Sequence, residues 1–147
     1  MRIEAFHSGD LMQVVDVWNQ SLPADPISPG RLQARVLLDP NFREPYFLLA
    51  REEDEIAGLV LGMCDEGFRF EADRTPVGGM GTRAWILALA VEPVQRRRGV
   101  GSALLGELEQ RFAAAGKSQV WIASYPTAYL VPGLDEEAYA EGLAFRR

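Results

Sequence analysis

The chain is poor in the residues most often used for chemistry: one cysteine and one histidine in 147 residues. A lone cysteine, Cys64, excludes an intrachain disulfide and fits a reducing compartment. It ends an apolar run and reads as core. A lone histidine, His7, argues against a His-based triad, and no His/Cys cluster suggests a metal. Basic charge is also scarce. Fifteen Lys and Arg against 21 Asp and Glu give a net charge of −6. That balance argues against nucleic acid as the main partner, because duplex binding needs a broad basic face. It serves solubility and leaves room for a cationic substrate. No apolar run approaches the ~18 residues of a membrane span, and no signal-peptide core follows Met1. These absences lead to a soluble, cytoplasmic protein with no membrane partner.

Apolar residues are plentiful, at 48% with 10% aromatic, and they support a sizeable core. The length is that of one domain, 1–147. "RIEAF" (2–6) alternates as a strand does. Leu11, Val14, Val15, Trp18 and Leu22 recur at helical spacing, with Asp10 or Ser8 as the cap. "PADPISPG" breaks the chain, and "PGRLQARVLLDP" reads as a second helix capped by Ser28 with Pro29 at its first position. "YFLLA" (46–50) and "IAGLVLGMC" (56–64) form a hairpin around the charged run "REEDE" (51–55), read as a solvated turn. Residues 65–83 are irregular and glycine-rich.

"WILALAV" (85–91) is apolar on both faces and reads as a central strand. Val100, Leu104, Leu108 and Phe112 mark an amphipathic helix that stops at Gly116. "QVWIAS" (119–124) is the next strand. A right-handed crossover through that helix makes strands 85–91 and 119–124 parallel. A loop and a last helix from Asp135 follow. Trp18, Trp85 and Trp121 read as core or rim. The class is α/β: a mixed, largely antiparallel sheet with a parallel central pair, flanked by helices.

One feature stands apart from this acidic background. Arg96-Arg97-Arg98-Gly99-Val100-Gly101-Ser102 lies between the end of the buried strand and the start of a helix. A helix N-terminus presents unpaired N–H groups and partial positive charge. Glycines let an anion approach that backbone closely, and arginines add charge, so the segment suits a pyrophosphate. Other phosphate loops fit less well. The third glycine of the dinucleotide fingerprint is absent, and no Gly-Lys-Ser/Thr follows.

"LALAVEPVQRRRGVGSALL" resembles motif A of the GCN5-related N-acetyltransferases, whose pattern is Arg/Gln-x-x-Gly-x-Gly/Ala. The order of elements along nearly the whole chain is similar too. "DVWNQSL", "RLQARVLLDPNF" and "YLVPGLD" resemble a subgroup with tandem domains. The resemblance implies an acyl-CoA N-acyltransferase fold. Because the chain stops at "EGLAFRR", the resemblance also implies a missing C-terminal strand pair: either the chain is a fragment, or the pair comes from a second such domain or from another subunit of a homodimer.

The implied activity is direct acetyl transfer from acetyl-CoA, with no metal, to a primary amine on a small molecule or peptide. The alternative is a non-catalytic acyl-CoA-binding or structural domain of a larger assembly. By resemblance, Arg96, Arg97, Arg98, Gly99, Val100, Gly101 and Ser102 hold the pyrophosphate. Leu89, Ala90 and Val91 line the pantetheine, and Ser124 stands where the family often has Asn. Glu66 is the first candidate for general base, with Asp65 and Glu92 behind it. The family's acid is often a tyrosine in the last helix. Here that position falls near Phe145, which leaves Tyr129 or Tyr139 as candidates and Tyr125 as a further loop tyrosine.

Overall fold

The structure is a computed structural model that describes residues 1–67, 81–122, 125, 130 and 131. Five strands form one sheet in the order β1-β2-β3-β4-β5: β1 (Arg2–Ala5), β2 (Phe47–Glu52), β3 (Glu55–Cys64), β4 (Arg83–Val91) and β5 (Gln119–Ile122). The first four pair antiparallel, and β5 runs parallel to β4. The hairpin, the buried long strand and the parallel crossover follow the sequence pattern. Ser124, Tyr129, Tyr139, the last helix and the expected absence of a final strand pair all lie outside the described residues.

β2 and β3 are apolar in unbroken runs because helices cover both faces of the sheet. α1 (Leu11–Ser21) and α2 (Pro29–Leu32) place Val14, Trp18 and Leu32 against Phe47, Leu49, Leu59, Leu61 and Trp85. On the opposite face, α3 (Val100–Ala114) sets Val100, Leu104, Leu108 and Phe112 against Leu48, Val60, Cys64 and Ile86. α3 lies close to β3 because Gly58 and Gly62 have no side chains. A Cβ on Gly62 would fall 2.7 Å from Phe112 Cζ, and one on Gly58 would fall 2.8 Å from the carbonyl oxygen of Ala90.

Several local expectations change. Asp10 stands at the N-cap position of α1, but its side chain makes no capping bond to that helix. Ser8 and Asp10 lie in a 3₁₀ turn, Ser8–Asp10, and the Asp10 carboxylate accepts from the His7 N–H at 2.9 Å. Ser28 does cap α2, accepting from the Arg31 N–H at 3.1 Å. That helix then widens into a π turn over Gln33–Leu37. The run 51–55 is not all solvated, because Arg51 is buried. Its guanidinium meets the carboxylates of Glu4 and Asp10, and burial of a charge is tolerable when it is paired in this way. Trp18 and Trp85 are core, whereas Trp121 is 47% exposed on β5, the last strand of the described sheet.

The segment between α1 and α2 is held by side chains of α1. Asn19 donates to Ile27 O at 3.0 Å and accepts from the Ile27 N–H at 2.8 Å. Trp18 Nε1 donates to Asp25 O at 2.8 Å.

Candidate functional site

β4 changes character halfway along. Leu61 pairs with Ala88 but Gly62 pairs with Ile86, so Leu87 is an extra residue in the ladder. Such a bulge bends a strand and ends regular pairing. Among the described residues, pairing with β5 runs from Arg83↔Gln119 to Ile86↔Ile122. β4 itself continues to Val91. Among the described residues, a gap is therefore left beside Leu87–Val91 on the β5 side.

The peptide groups along that gap can be assigned. Glu92 N–H donates to Ala57 O at 2.9 Å. In an antiparallel ladder every second residue bonds the same neighbour. Ala90 and Ala88 thus turn towards β3, and Leu89 and Val91 turn their N–H and C=O groups into the gap. Ala90, grouped with them from the sequence, offers the gap no peptide group.

The arginine turn follows directly. A 3₁₀ turn, Pro93–Gln95, leads to Arg96, whose side chain reaches back: Nε donates to Val91 O at 3.0 Å and Nη2 to Ser21 O at 3.1 Å. Its guanidinium is thus engaged by two carbonyls. Arg97 and Arg98 are exposed. Arg97 has φ +64°, unusual for a residue with a side chain, and Gly99 has φ +83°. Left-handed residues in such a turn aim successive N–H groups to one side and build an anion-binding concavity. The first N–H bonded within α3 is that of Ala103, to Gly99 O at 3.0 Å. The N–H groups of Val100, Gly101 and Ser102 therefore project from the helix start. Val100 buries its side chain in the core and contributes backbone alone.

The carboxylates divide. Asp65 is buried; its Oδ1 accepts from the Gly67 N–H at 2.9 Å, and the carboxylate lies against Gly81. It holds the neck of the loop after β3. Lys117 closes the same neck, donating to Asp65 O at 2.7 Å and Gly81 O at 2.8 Å. Glu66 is half-buried, its N–H bonded to Asn41 Oδ1 at 3.1 Å. Glu92 is half-buried at the end of β4.

Sequence reasoning missed the groups around Tyr125. This tyrosine is 1% exposed. Its hydroxyl donates to Asp39 Oδ1 at 2.6 Å and accepts from Asn41 Nδ2 at 3.1 Å. Burial, and then the Asp39 carboxylate, push its phenol well above the ordinary value. Nothing in the local pattern marks Asp39 or Asn41, because their partners are more than 80 residues away.

The sequence pattern of the Acetyltransferase (GNAT) family matches residues 12–128. The chain belongs to that family. Acetyltransferase plu1384 of Photorhabdus laumondii is 24% identical over 157 residues, covering all of this chain and 94% of that protein. Among solved structures, the ribosomal-protein-S18-alanine N-acetyltransferase of Escherichia coli superposes with a TM-score of 0.62 at 16% identity. That match covers 82% of this chain and 64% of the other, so this chain spans just under two thirds of that enzyme's length. The aminoglycoside antibiotic 6'-N-acetyltransferase AAC(6')-IG of Acinetobacter haemolyticus superposes with a TM-score of 0.63 at 13% identity, covering 99% and 88%. These structures share the fold.

GNAT acetyltransferases use acetyl-CoA. The residues here fit its chemistry. The N–H groups at the start of α3, with Arg97 and Arg98, suit a diphosphate. The gap-facing peptide groups of Leu89 suit an amide chain laid along β4.

Proposed function

We propose that this protein is an N-acetyltransferase that moves an acetyl group from acetyl-CoA to a primary amine. The observation that carries this reading is the junction of two features. A stretch of β4 without a partner on the β5 side among the described residues ends at Val91, and a left-handed, arginine-rich turn and a helix start follow at residues 96–100. One suits an extended amide chain, and the other suits the diphosphate at its end. Val100, Gly101 and Ser102 supply backbone donors there. Arg97 and Arg98 supply charge. Leu89 supplies strand-like pairing.

Acetyl-CoA would bring an activated acyl carbon. The amine nitrogen forms a bond to that carbon as the carbon–sulfur bond breaks, and one proton leaves the nitrogen while the sulfur gains one. An alkyl amine with a pKa near ~10 is mostly protonated at neutral pH, so a base must act first. We assign that role to Glu66, which follows β3 at the neck of the loop. Tyr129 or Tyr139 is proposed as the acid, and Ser124 as a further contact to the cofactor. The net acidic charge favours a cationic small-molecule or peptide acceptor, and the proposed setting is the cytoplasm.

Acetyl-CoA titration with a thermal melt and calorimetry tests the reading. A ligand selective for the native state raises the melting temperature with its concentration. Wild type responding while Gly101→Val does not supports the diphosphate site. A Gly101→Val variant that binds as tightly as wild type overturns it.

A further inference from the structure

The two bonds of Arg96 join segments far apart in sequence. Val91 ends β4, and Ser21 ends α1, 75 residues before Arg96. Ser21 is buried, so its carbonyl lies away from water, where a charged donor counts for most. A guanidinium can meet both carbonyls at once because its N–H groups form a rigid planar fork.

The segment beyond Ser21 is fastened to the same helix. Asn19 bonds both peptide groups of Ile27, and Trp18 Nε1 donates to Asp25 O. The Asp25 N–H donates to Leu22 O at 3.0 Å, and the Leu22 N–H to Trp18 O at 2.7 Å. Residues 22–27 and the last turn of α1 therefore make one unit. Arg96 ties that unit to the turn before α3. The next residue in that turn is Arg97, at φ +64°. A side chain in that conformation costs free energy, and it persists where the surrounding structure fixes it. Arg96 is fixed from outside the turn, by α1 and by β4.

We propose that Arg96 is a positioning residue: it braces the anion turn against the end of α1, and through that brace a ligand on the turn also steadies residues 22–27. The inference rests on the reading of this turn as the acetyl-CoA diphosphate site. The coupling runs both ways, because a ligand that favours the braced turn is itself favoured by an intact brace.

The test uses the full chain as wild type, Arg96→Lys and Arg96→Ala, each checked for folding by circular dichroism. Lysine keeps the charge, but its single Nζ cannot reproduce the Nε and Nη2 bonds to carbonyls of two segments. Two quantities are read: the acetyl-CoA Kd, and amide hydrogen exchange at Asp25 and Ile27 with and without saturating acetyl-CoA. In wild type, acetyl-CoA is expected to slow exchange at both amides. Arg96→Lys and Arg96→Ala are each expected to bind about tenfold more weakly. Both should also lose the slowing at Asp25 and Ile27 even when saturated. A folded Arg96→Lys with wild-type Kd, or with the wild-type slowing, overturns the brace, because charge alone then suffices. Wild type that binds acetyl-CoA without any slowing overturns it too. If Arg96→Ala does not fold, Arg96→Lys decides. If wild type does not bind acetyl-CoA, the reading of the diphosphate site fails. The brace is then judged by the free chains: faster exchange at Asp25 and Ile27 in Arg96→Lys supports it, and unchanged exchange overturns it.

Discussion

Arg96 Nε donates to the carbonyl of Val91 at 3.0 Å, so the chain closes on itself across the turn between β4 and α3. The same guanidinium satisfies Ser21 O, one of the carbonyls that the end of α1 leaves without a helical partner. One side chain thereby joins the end of α1, the end of β4 and the anion-binding turn. The next two arginines, Arg97 and Arg98, remain in solvent.

That division predicts different losses along the triplet. Arg96→Ala should lower stability by about 1–3 kcal/mol, because two carbonyls lose a charged donor. Arg97→Ala and Arg98→Ala should each stay within about 0.5 kcal/mol of wild type, apart from any change in backbone strain at residue 97. They should instead weaken acetyl-CoA binding and flatten its dependence on salt. Urea denaturation, with calorimetry at two ionic strengths, separates the two classes.

The backbone of the turn gives a second contrast. Gly99 at φ +83° tolerates a Cβ poorly, so Gly99→Ala should cost about 1–2 kcal/mol. Arg97 already carries that strain at φ +64°. Arg97→Gly should therefore be more stable than Arg97→Ala by about 1 kcal/mol. Equal midpoints for those two variants would show that residue 97 is unstrained.

Close packing of α3 on β3 sets a third. Gly62→Ala meets the far end of a side chain, Phe112 Cζ, whereas Gly58→Ala meets a backbone oxygen, that of Ala90. Overpacking of this kind costs about 1–3 kcal/mol. A smaller residue in the double variant Gly62→Ala/Phe112→Leu should recover part of that loss. Gly58→Ala should find no such suppressor in α3, since its nearest obstacle is main chain. Double-mutant melts measure both.

A fourth concerns alkaline pH. Burial pushes the Cys64 thiol up to about 11, and the Tyr46 phenol beside it up to about 12. An unfolded thiol ionises near ~8.5. Between these values the unfolded chain releases a proton that the folded chain keeps, so stability falls as pH rises through that window and is complete below it. Urea midpoints from pH 7 to 10.5 should fall, and Cys64→Ala should reduce the slope. Iodoacetamide should label Cys64 slowly at pH 8 until urea unfolds the chain.

Much of this was legible along the chain. Alternation located β1 and four-residue spacing located α3, because burying one face of a strand or helix leaves a local period, while β3 and β4, buried on both faces, stood out as unbroken apolar runs. The crossover between β4 and β5 followed from handedness. The anion turn was legible because its donors are neighbours in sequence. The role of Arg96 was not. Three adjacent arginines look alike in a string, and what separates them is a pair of carbonyls, one of them 75 residues away. Arg51 was read as solvated for the same reason: Glu4 lies 47 residues from it and Asp10 lies 41.

By itself, then, the sequence determined the fold class, the order of elements and the helix start that suits a diphosphate. Each of these is written in patterns a few residues long. Only the tertiary structure decided that Asp65 braces a loop, that Leu89 and Val91 face the gap while Ala90 does not, and that Tyr125 is tied to Asp39. Those outcomes depend on register, on one bulged residue, and on hydrogen bonds between distant segments. Such partners come together only when the core brings their strands to the same place.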